Sequence, residues 1–306
     1  MTRFNIPFIK YFRYAIIISF VIILAGIIAL FSNGLNRGID FTGGTILHLR
    51  LGEGYQMNEV RNVLAPYDLS GVPLQRAGGD QISGNEVIIK APHLEEPIRQ
   101  EIITSFMEKW PEMTTEDILR VDNVGAVIGG ELTREAFLAL FIAAIGMIIY
   151  ITLRFEFKFS LAAILALLHD AFVIIAIFSI FRVEINSPFI AAVLTIIGYS
   201  INDTIIIFDR IRENMKIRRQ KPIEEVVNES INETLTRTIG TSVTTLLVLI
   251  SLFVAFNYFV GGMDLKAFSL ALLIGVISGT YSSIFIAGPL WAFWRSRGMK
   301  REKTPA

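Results

Sequence analysis

The sequence predicts an α-helical polytopic membrane protein with six transmembrane helices and a small α+β domain inserted between the first two. Three observations support this fold class. The 306 residues are 53% hydrophobic and 18% charged, with a mean hydropathy of +0.55, which is too apolar for an ordinary soluble domain. Apolar runs of about 20 residues, the length that crosses a bilayer, recur about six times. Roughly a hundred more polar residues, enough for a small domain, separate the first two runs.

The six apolar runs lie at 14–32, 136–153, 159–181, 189–208, 240–259 and 267–294. The first run is too long for the apolar part of a cleavable signal peptide, and no small-residue cleavage pattern follows it. We therefore expect it to remain as a helix. The chain has no cysteine, which excludes a disulfide framework and any cysteine metal site.

The distribution of Lys and Arg predicts the orientation. Basic residues cluster before the first run, between the second and third, after the fourth and after the sixth, whereas the opposite side has only Arg182 and Lys266 in its two short loops. By the positive-inside rule, both termini are cytoplasmic. The predicted organisation is a cytoplasmic N-terminus with the first helix (1–32), an extracytoplasmic domain (33–135), five more helices (136–294) and a cytoplasmic tail (295–306).

The inserted domain has the pattern of alternating strands and helices that is called ferredoxin-like. We predict strands at 45–51, 72–77, 86–91 and 117–124 and helices at 57–65 and 95–110. The order is then βαββαβ, with Gly78, Gly79 and Gly84 supplying the central hairpin turn. A fold of this kind does not by itself identify a ligand.

The stretch LNRGIDFTGGTILHL (35–49) is rich in glycine. Gly38, Gly43 and Gly44 permit tight turns and positive φ where the chain leaves the first helix and starts a strand. The stretch does not fit a phosphate-binding loop, because no Lys-Ser/Thr pair follows and no helix is expected to start there. The chain contains no Walker-type sequence, so any work it performs must draw on a partner or on an ion gradient.

This stretch resembles the segment after the first membrane helix of the SecF family of SecD/SecF protein-export membrane proteins. GYSINDTIIIFDRIREN (198–214) is similar to the family's fourth-helix motif, and ETLTRTIGTS (233–242) to its entry into the fifth helix. The matches lie in family order, in a chain of family-like length and helix layout.

The resemblance implies a non-enzymatic subunit of the bacterial plasma (inner) membrane without a bound cofactor. It would pair with SecD beside the SecYEG translocon, with room for further accessory membrane subunits, and use the proton-motive force to draw preproteins out of the channel. Coupling to Na⁺ in place of H⁺ stays open.

Asp203 is the most unusual residue of the fourth apolar run. A charged carboxylate at mid-membrane costs roughly 2.5–3.5 kcal/mol, so it should face other helices or a water-filled path. Thr195, Tyr199 and Asn202 share its helix face approximately, at three- and four-residue steps, and offer hydrogen-bonding neighbours. The resemblance implies that Asp203, Arg237 and Thr241 take part in proton passage. The alternative is a static link from Asp203 to Arg237 or to an asparagine.

His169 and Asp170 stand midway along the third apolar run. Asp170 could complete the proton relay or make a structural hydrogen bond to a neighbouring helix, and the sequence leaves both readings open. His169 is rotated by about 100° from Asp170, so we expect it to be packed or bonded to the backbone. Elsewhere, the basic run at 210–221 predicts a solvated face near anionic lipid, and Trp291 with Trp294 predicts an interfacial anchor.

Two other functions fit parts of the pattern. Asp170 and Asp203, on adjacent membrane helices, resemble the carboxylate pair of intramembrane aspartyl proteases, although the sequences around them differ from that family's motifs. A proton-driven transporter of lipids or small hydrophobic molecules, of the resistance-nodulation-division type, fits the sequence better than a protease does. Such transporters generally have two six-helix halves and two larger insertions, whereas this chain has one half, so a second subunit should complete it.

Overall fold

The computed structural model describes residues 5–77, 84–258 and 263–302. The chain forms two compact units. The spanning unit comprises Met1–Asn36, Leu138–Ala255 and Met263–Ala306, and the inserted unit comprises Arg37–Phe137 with Phe256–Gly262. Among the described residues, six helical segments are long and apolar enough to cross a membrane. The predicted fold class is confirmed.

The spanning helices are longer than the apolar runs. Helices occupy α1 (Phe8–Asn33), α2 (Ile39–Thr42), α3 (Met57–Leu64), α4 (Glu96–Lys109), α5 (Ala126–Arg154), α6 (Phe157–Ile180), α7 (Ser187–Ile217), α8 (Ile223–Tyr258), α9 (Met263–Ser282) and α10 (Gly288–Glu302). A π-helical turn, Ser283–Ala287, joins α9 to α10. The sixth apolar segment, Asp264–Arg297, therefore includes residues of both α9 and α10.

Helix α8 begins at Ile223, well before the apolar run that starts at residue 240. Its polar first half is held against α7 by side-chain pairs: Asn214 Nδ2 donates to Ser230 Oγ at 2.9 Å, and Arg210 Nε donates to Glu233 at 2.5 Å. These bonds extend the helix beyond its apolar part. The predicted end of this run, residue 259, lies outside the described residues.

The basic run is largely paired within the protein. Arg218 pairs with Glu229 and Glu233, and Lys221 pairs with Glu225 and Glu229. The hydrogen bond to Glu225, followed in size of effect by the one to Glu229, raises the pKa of the Lys221 ammonium. The expected basic face is therefore a set of ion pairs that closes the α7–α8 turn.

The inserted unit is a four-stranded antiparallel sheet of β1 (Gly44–Arg50), β2 (Leu74–Ala77), β3 (Glu86–Ala91) and β4 (Ile118–Val124), in the order β2-β3-β1-β4. This order, with βαββαβ connectivity, confirms the ferredoxin-like arrangement. Alternate strand residues such as Leu47 and Ile89 share one buried cluster with Val60 of α3 and Phe106 of α4. The predicted turn residues Gly78 and Gly79 lie outside the described residues.

The glycine-rich stretch makes a close backbone crossing within this unit. Gly43 has φ +72°, and a Cβ there would lie 2.8 Å from Ala126 Cα; a Cβ on Gly129 would lie 2.9 Å from Gly43 N. The expected positive φ is thus found at Gly43 and at Gly44 (φ +142°), but Gly38 is extended, with φ −68°. The expectation that no helix starts here is wrong, because Ile39–Thr42 forms a single helical turn.

Small residues bring the spanning helices into close contact. A Cβ on Gly26 of α1 would lie 2.1 Å from Ala176 Cβ of α6, and one on Gly275 of α9 would lie 2.4 Å from Ile196 of α7. Interfaces of this kind are typical of membrane helices, because small side chains let the backbones approach.

Trp291 is not the interfacial anchor that its position beside the charged tail suggests. It is 2% exposed, and its indole stacks on Phe159 with ring centroids 4.3 Å apart. Its end of α10 is packed against α6, so the prediction of an interfacial anchor is wrong for this residue.

We expect Gly129→Ala to destabilise the protein and Gly130→Ala to stabilise it slightly. Both are neighbouring glycines of α5, and Ala gains roughly 1 kcal/mol over Gly in a helix. Only Gly129 faces the Gly43 backbone, whereas nothing lies within 4 Å of a Cβ on Gly130, and overpacking costs about 1–3 kcal/mol. Thermal unfolding of the purified protein in detergent measures the difference. Equal melting temperatures would contradict the close crossing.

Candidate functional site in the spanning unit

Asp203 lies in α7 and is 1% exposed. Its Oδ2 atom forms no hydrogen bond with any described residue. A buried polar group without a partner normally costs about 1–3 kcal/mol, and a charged one more. Such a group is rare in a membrane helix and indicates a functional site.

Arg237 of α8 lies near enough to Asp203 to interact with it electrostatically. Among the described residues no hydrogen bond joins the two side chains, and Asp203 Oδ2 is without any partner. The static link that the sequence left open is therefore not formed as a hydrogen bond. The guanidinium can favour the charged form of the carboxylate without locking it.

Contacts between α7 and α8 set the level of the predicted residues. Tyr199 Oη donates to Thr245 Oγ1 at 3.3 Å. In these antiparallel helices, four residues forward from Tyr199 is Asp203 and four residues back from Thr245 is Thr241. The structure thus brings Thr241 to the level of Asp203. The Thr241 hydroxyl itself donates to the Arg237 carbonyl at 3.1 Å.

Asn202 and Thr195 do not supply hydrogen bonds to Asp203. Both are exposed on the surface of the unit, and Thr195 Oγ1 donates to Ala191 O of its own helix at 2.8 Å. The expectation that these side chains surround the carboxylate is wrong. Successive helix residues are rotated by about 100°, so Asn202 points away from the interface that Asp203 enters.

Thr238 is a polar residue of this interface that the sequence did not single out. It is fully buried, and its Oγ1 forms no hydrogen bond with a described residue. It lies one helical turn before Ser242. The Ser242 hydroxyl bonds to Thr280 of α9 at 2.7 Å. In a segment already rich in Thr and Ser, its spacing carried no distinguishing signal.

Asp170 of α6 is surrounded by hydrogen-bond donors. Its carboxylate accepts from Ser200 of α7 at 2.7 Å, and from Ser278 and Ser282 of α9 at 2.7 and 2.8 Å. These bonds favour the structural reading of Asp170. Its connection to Asp203 is indirect, because Ser200 precedes Asp203 on α7 by one turn.

His169 is packed, as expected, with its ring against that of Tyr281, but its nitrogens contact side chains and not the backbone. Its Nδ1 lies 3.1 Å from Asp170 Oδ1, and its Nε2 lies 2.8 Å from Ser19 Oγ of α1. Sequence reasoning missed Ser19 and the three serines around Asp170. The four-residue spacing of Ser278 and Ser282 in an apolar helix was the available signal, since it puts both on one face.

Side-chain hydrogen bonds join α7 to other helices on either side of Asp203. Ser200 bonds to Asp170, and Thr204 Oγ1 bonds to Ser283 Oγ at 2.7 Å. Ser283 opens the π-helical turn, and such turns are frequent at functional sites. Within the described part of the chain, no group of three or more His, Asp or Glu could hold a metal ion. The arrangement places one ionisable carboxyl, that of Asp203, between two points at which α7 is bonded to other helices.

Two family models match the chain. The model described as protein export membrane protein SecD/SecF, C-terminal, matches residues 106–297. The SecD/SecF GG motif model matches residues 28–52, which include Gly43 and Gly44.

Similar proteins cover nearly all of the chain. The protein translocase subunit SecF of Desulfurispirillum indicum is 40% identical, over 96% of this chain and 93% of its own. The protein translocase subunit SecDF of Bacillus subtilis is 37% identical, over 95% of this chain and 38% of its own. The crystal structure of SecDF from Thermus thermophilus, a translocon-associated membrane protein, matches with a TM-score of 0.83 at 36% identity. This chain covers 39% of that structure.

We expect Asp170→Asn to lower the melting temperature and Asp203→Asn to leave it unchanged or raise it. An asparagine amide cannot accept all the hydroxyls that Asp170 accepts, and each hydrogen bond to a charged group is worth about 1.5–3 kcal/mol. Asp203 has no such bonds to lose. Thermal unfolding in detergent measures both variants. The assignment of Asp170 as structural is refuted if its variant melts like the parent protein.

Proposed function

Because this chain belongs to the SecF family of SecD/SecF protein-export membrane proteins, we propose that it uses the proton-motive force to drive late steps of preprotein export. The family places it among the accessory subunits of the Sec translocase, a non-enzymatic role. The proposal adds the energy source, the stage of export and the plasma membrane as location, with both termini cytoplasmic. Asp203, buried and without a hydrogen bond, is the observation that carries it.

Asp203 would bind and release a proton. In its neutral form it sits at lower cost in the apolar interface, and in its charged form it is favoured by Arg237. Moving one charge through 100 mV releases roughly 2.3 kcal/mol, enough to bias two packings of α7 and α8. Arg237 and Thr241 are exposed residues of α8, one turn apart, and Arg237 is near enough to Asp203 to act on its charge. Asn202 and Asp170 would act less directly, through the helix surface and through Ser200. Na⁺ is the alternative coupling ion.

SecD is the proposed partner. In SecDF of Bacillus subtilis, a segment similar to 95% of this chain accounts for 38% of the protein, which supports association of the present chain with a separate second half. SecYEG and the moving preprotein would be the further contacts. Helices α1 and α5 continue in sequence into the inserted unit and would transmit the change.

The two rival functions receive less support. The relatives are named protein translocase subunits, which is a non-enzymatic role, and Asp170 is bound by serines and is not paired with Asp203. This does not fit a protease, in which two carboxylates perturb each other. A lipid transporter would need the same buried carboxylate, so the partners that co-purify with the chain distinguish it from an export subunit.

We expect Asp203→Asn to insert and pair with SecD normally but to lose the part of export that depends on the proton-motive force. An amide side chain does not bind and release a proton in this way, so the proton gradient cannot change the charge at position 203. Translocation of a preprotein into inverted membrane vesicles, with and without an uncoupler, measures this part. Asp209→Asn is the matched control, because Asp209 lies on the same helix in exposed pairs with Arg154 and Arg212. Uncoupler-sensitive export by Asp203→Asn would contradict the proposal. Export by the parent protein that responds to a sodium ionophore and not to the uncoupler would indicate Na⁺ as the coupling ion.

Purification of the tagged chain from its native membranes tests the partners. We expect SecD and translocon subunits to co-purify, and Asp203→Asn to recover the same set, since its carboxyl is buried inside the unit. Recovery without them, together with lipid movement in reconstituted vesicles, would favour the transporter.

A further inference from the structure

His169 and Asp170 are the centre of a hydrogen-bond network that joins α6 to α1, α7 and α9. Asp170 Oδ1 accepts from Ser278 and faces His169 Nδ1, and Asp170 Oδ2 accepts from Ser200 and Ser282. A carboxylate offers about four lone-pair positions. The Ser282 hydroxyl also has Gly279 O as an acceptor, at 3.2 Å. When it donates to Asp170, all four positions accept, Asp170 is a carboxylate and His169 Nδ1 carries a proton toward it.

The other ring nitrogen must also be a donor. Tyr281 has one hydroxyl proton, which it donates to the Ala15 carbonyl at 2.7 Å. The contact between Ser19 and Tyr281, at 3.3 Å, therefore takes its proton from Ser19. Ser19 then has none left for His169 Nε2, which lies 2.8 Å away. In this arrangement of hydroxyl protons the ring donates this bond as well, with a proton on each of its two nitrogens.

We propose that His169 and Asp170 form a second proton-binding site, separate from Asp203, which holds an imidazolium–carboxylate pair inside the spanning unit. The proton adds to a ring nitrogen lone pair and forms one N–H bond, with no change of oxidation state. The pair is electrically neutral, whereas a carboxylate beside a neutral ring would leave an uncompensated charge at 1% exposure, which is costly in an apolar medium. The Tyr281 ring, with its centroid 5.9 Å from that of the imidazole, is within reach of a cation–π contact.

Proton release from this site would change how α1 is held. A neutral imidazole has one N–H group, so it can donate to Asp170 or to Ser19 but not to both. Proton occupancy is thereby linked to the docking of α1 on α6. The titratable groups on the surrounding elements are Asp170 on α6, Tyr281 on α9 and Asp203 on α7, one turn beyond Ser200. Helix α1 has no charged side chain between residues 14 and 33.

Histidine nitrogen NMR tests this site directly, because the chain has three histidines and His169→Gln identifies the signals of His169. We would label the whole protein with ¹⁵N-histidine, reconstitute it in lipid vesicles and record its ring nitrogens at pH 7. We expect two protonated nitrogens for His169. One protonated and one bare nitrogen would overturn the proposal.

Tyr281→Phe tests the proton count. Without the phenol, Ser19 can turn its hydroxyl toward His169 Nε2, so the doubly protonated signal at pH 7 should fall several-fold. Tyr14→Phe is the matched control, since Tyr14 is 64% exposed on α1 and should leave the signal unchanged. An unchanged signal in Tyr281→Phe would contradict the network.

The same measurement on Asp203→Asn tests whether the sites are separate. We expect the His169 signals to persist, and their loss would overturn the separation. This spectrum does not depend on export. A failure of the second site therefore leaves the proposed function standing, and loss of the export role for Asp203 leaves the second site standing.

Discussion

The interior of a bilayer offers no water, and this constraint decides where every polar side chain of the spanning unit goes. Most hydroxyls donate to a carbonyl of their own helix, as Ser179 does to Ile175 O at 2.8 Å and Thr244 to Gly240 O at 3.0 Å. Three serines bond instead to Asp170. Asp203 alone among the buried carboxylates described has no hydrogen bond. The two buried acids of this unit therefore differ in their hydrogen-bond partners.

Close packing and hydrogen bonding depend on each other in this unit. A Cβ on Gly279 of α9 would lie 2.8 Å from Ser200 Cβ of α7, and Ser200 is one of the residues that donate to Asp170. The small residue lets α7 approach α9 closely enough for a short serine side chain to reach the carboxylate. Helix contact, serine geometry and the position of Asp203 one turn away are thus a single arrangement.

Sequence reasoning succeeded where a local pattern determines the outcome. Hydrophobic length predicted the spanning helices, and alternating strands and helices predicted the inserted sheet. It failed where the outcome depends on which neighbour a side chain meets. Trp291 stacks on Phe159, and no periodicity of α10 contains that information. The polar start of α8 was separated from the apolar run because hydropathy does not register ion pairs made with another helix, such as that of Arg210 with Glu233.

The sequence by itself determined that ionisable residues would stand in membrane helices, because Asp170 and Asp203 interrupt apolar runs whatever their neighbours. Spacing also placed Arg237 and Thr241 four residues apart on one helix, and a resemblance of motifs named the family. Only the tertiary structure decided how the two acids differ. Asp170 meets serines from two other helices, whereas Asp203 meets none, and a hydrogen bond between helices depends on positions that no single helix specifies. That difference separates a carboxylate held by hydrogen bonds from one whose Oδ2 atom has no partner.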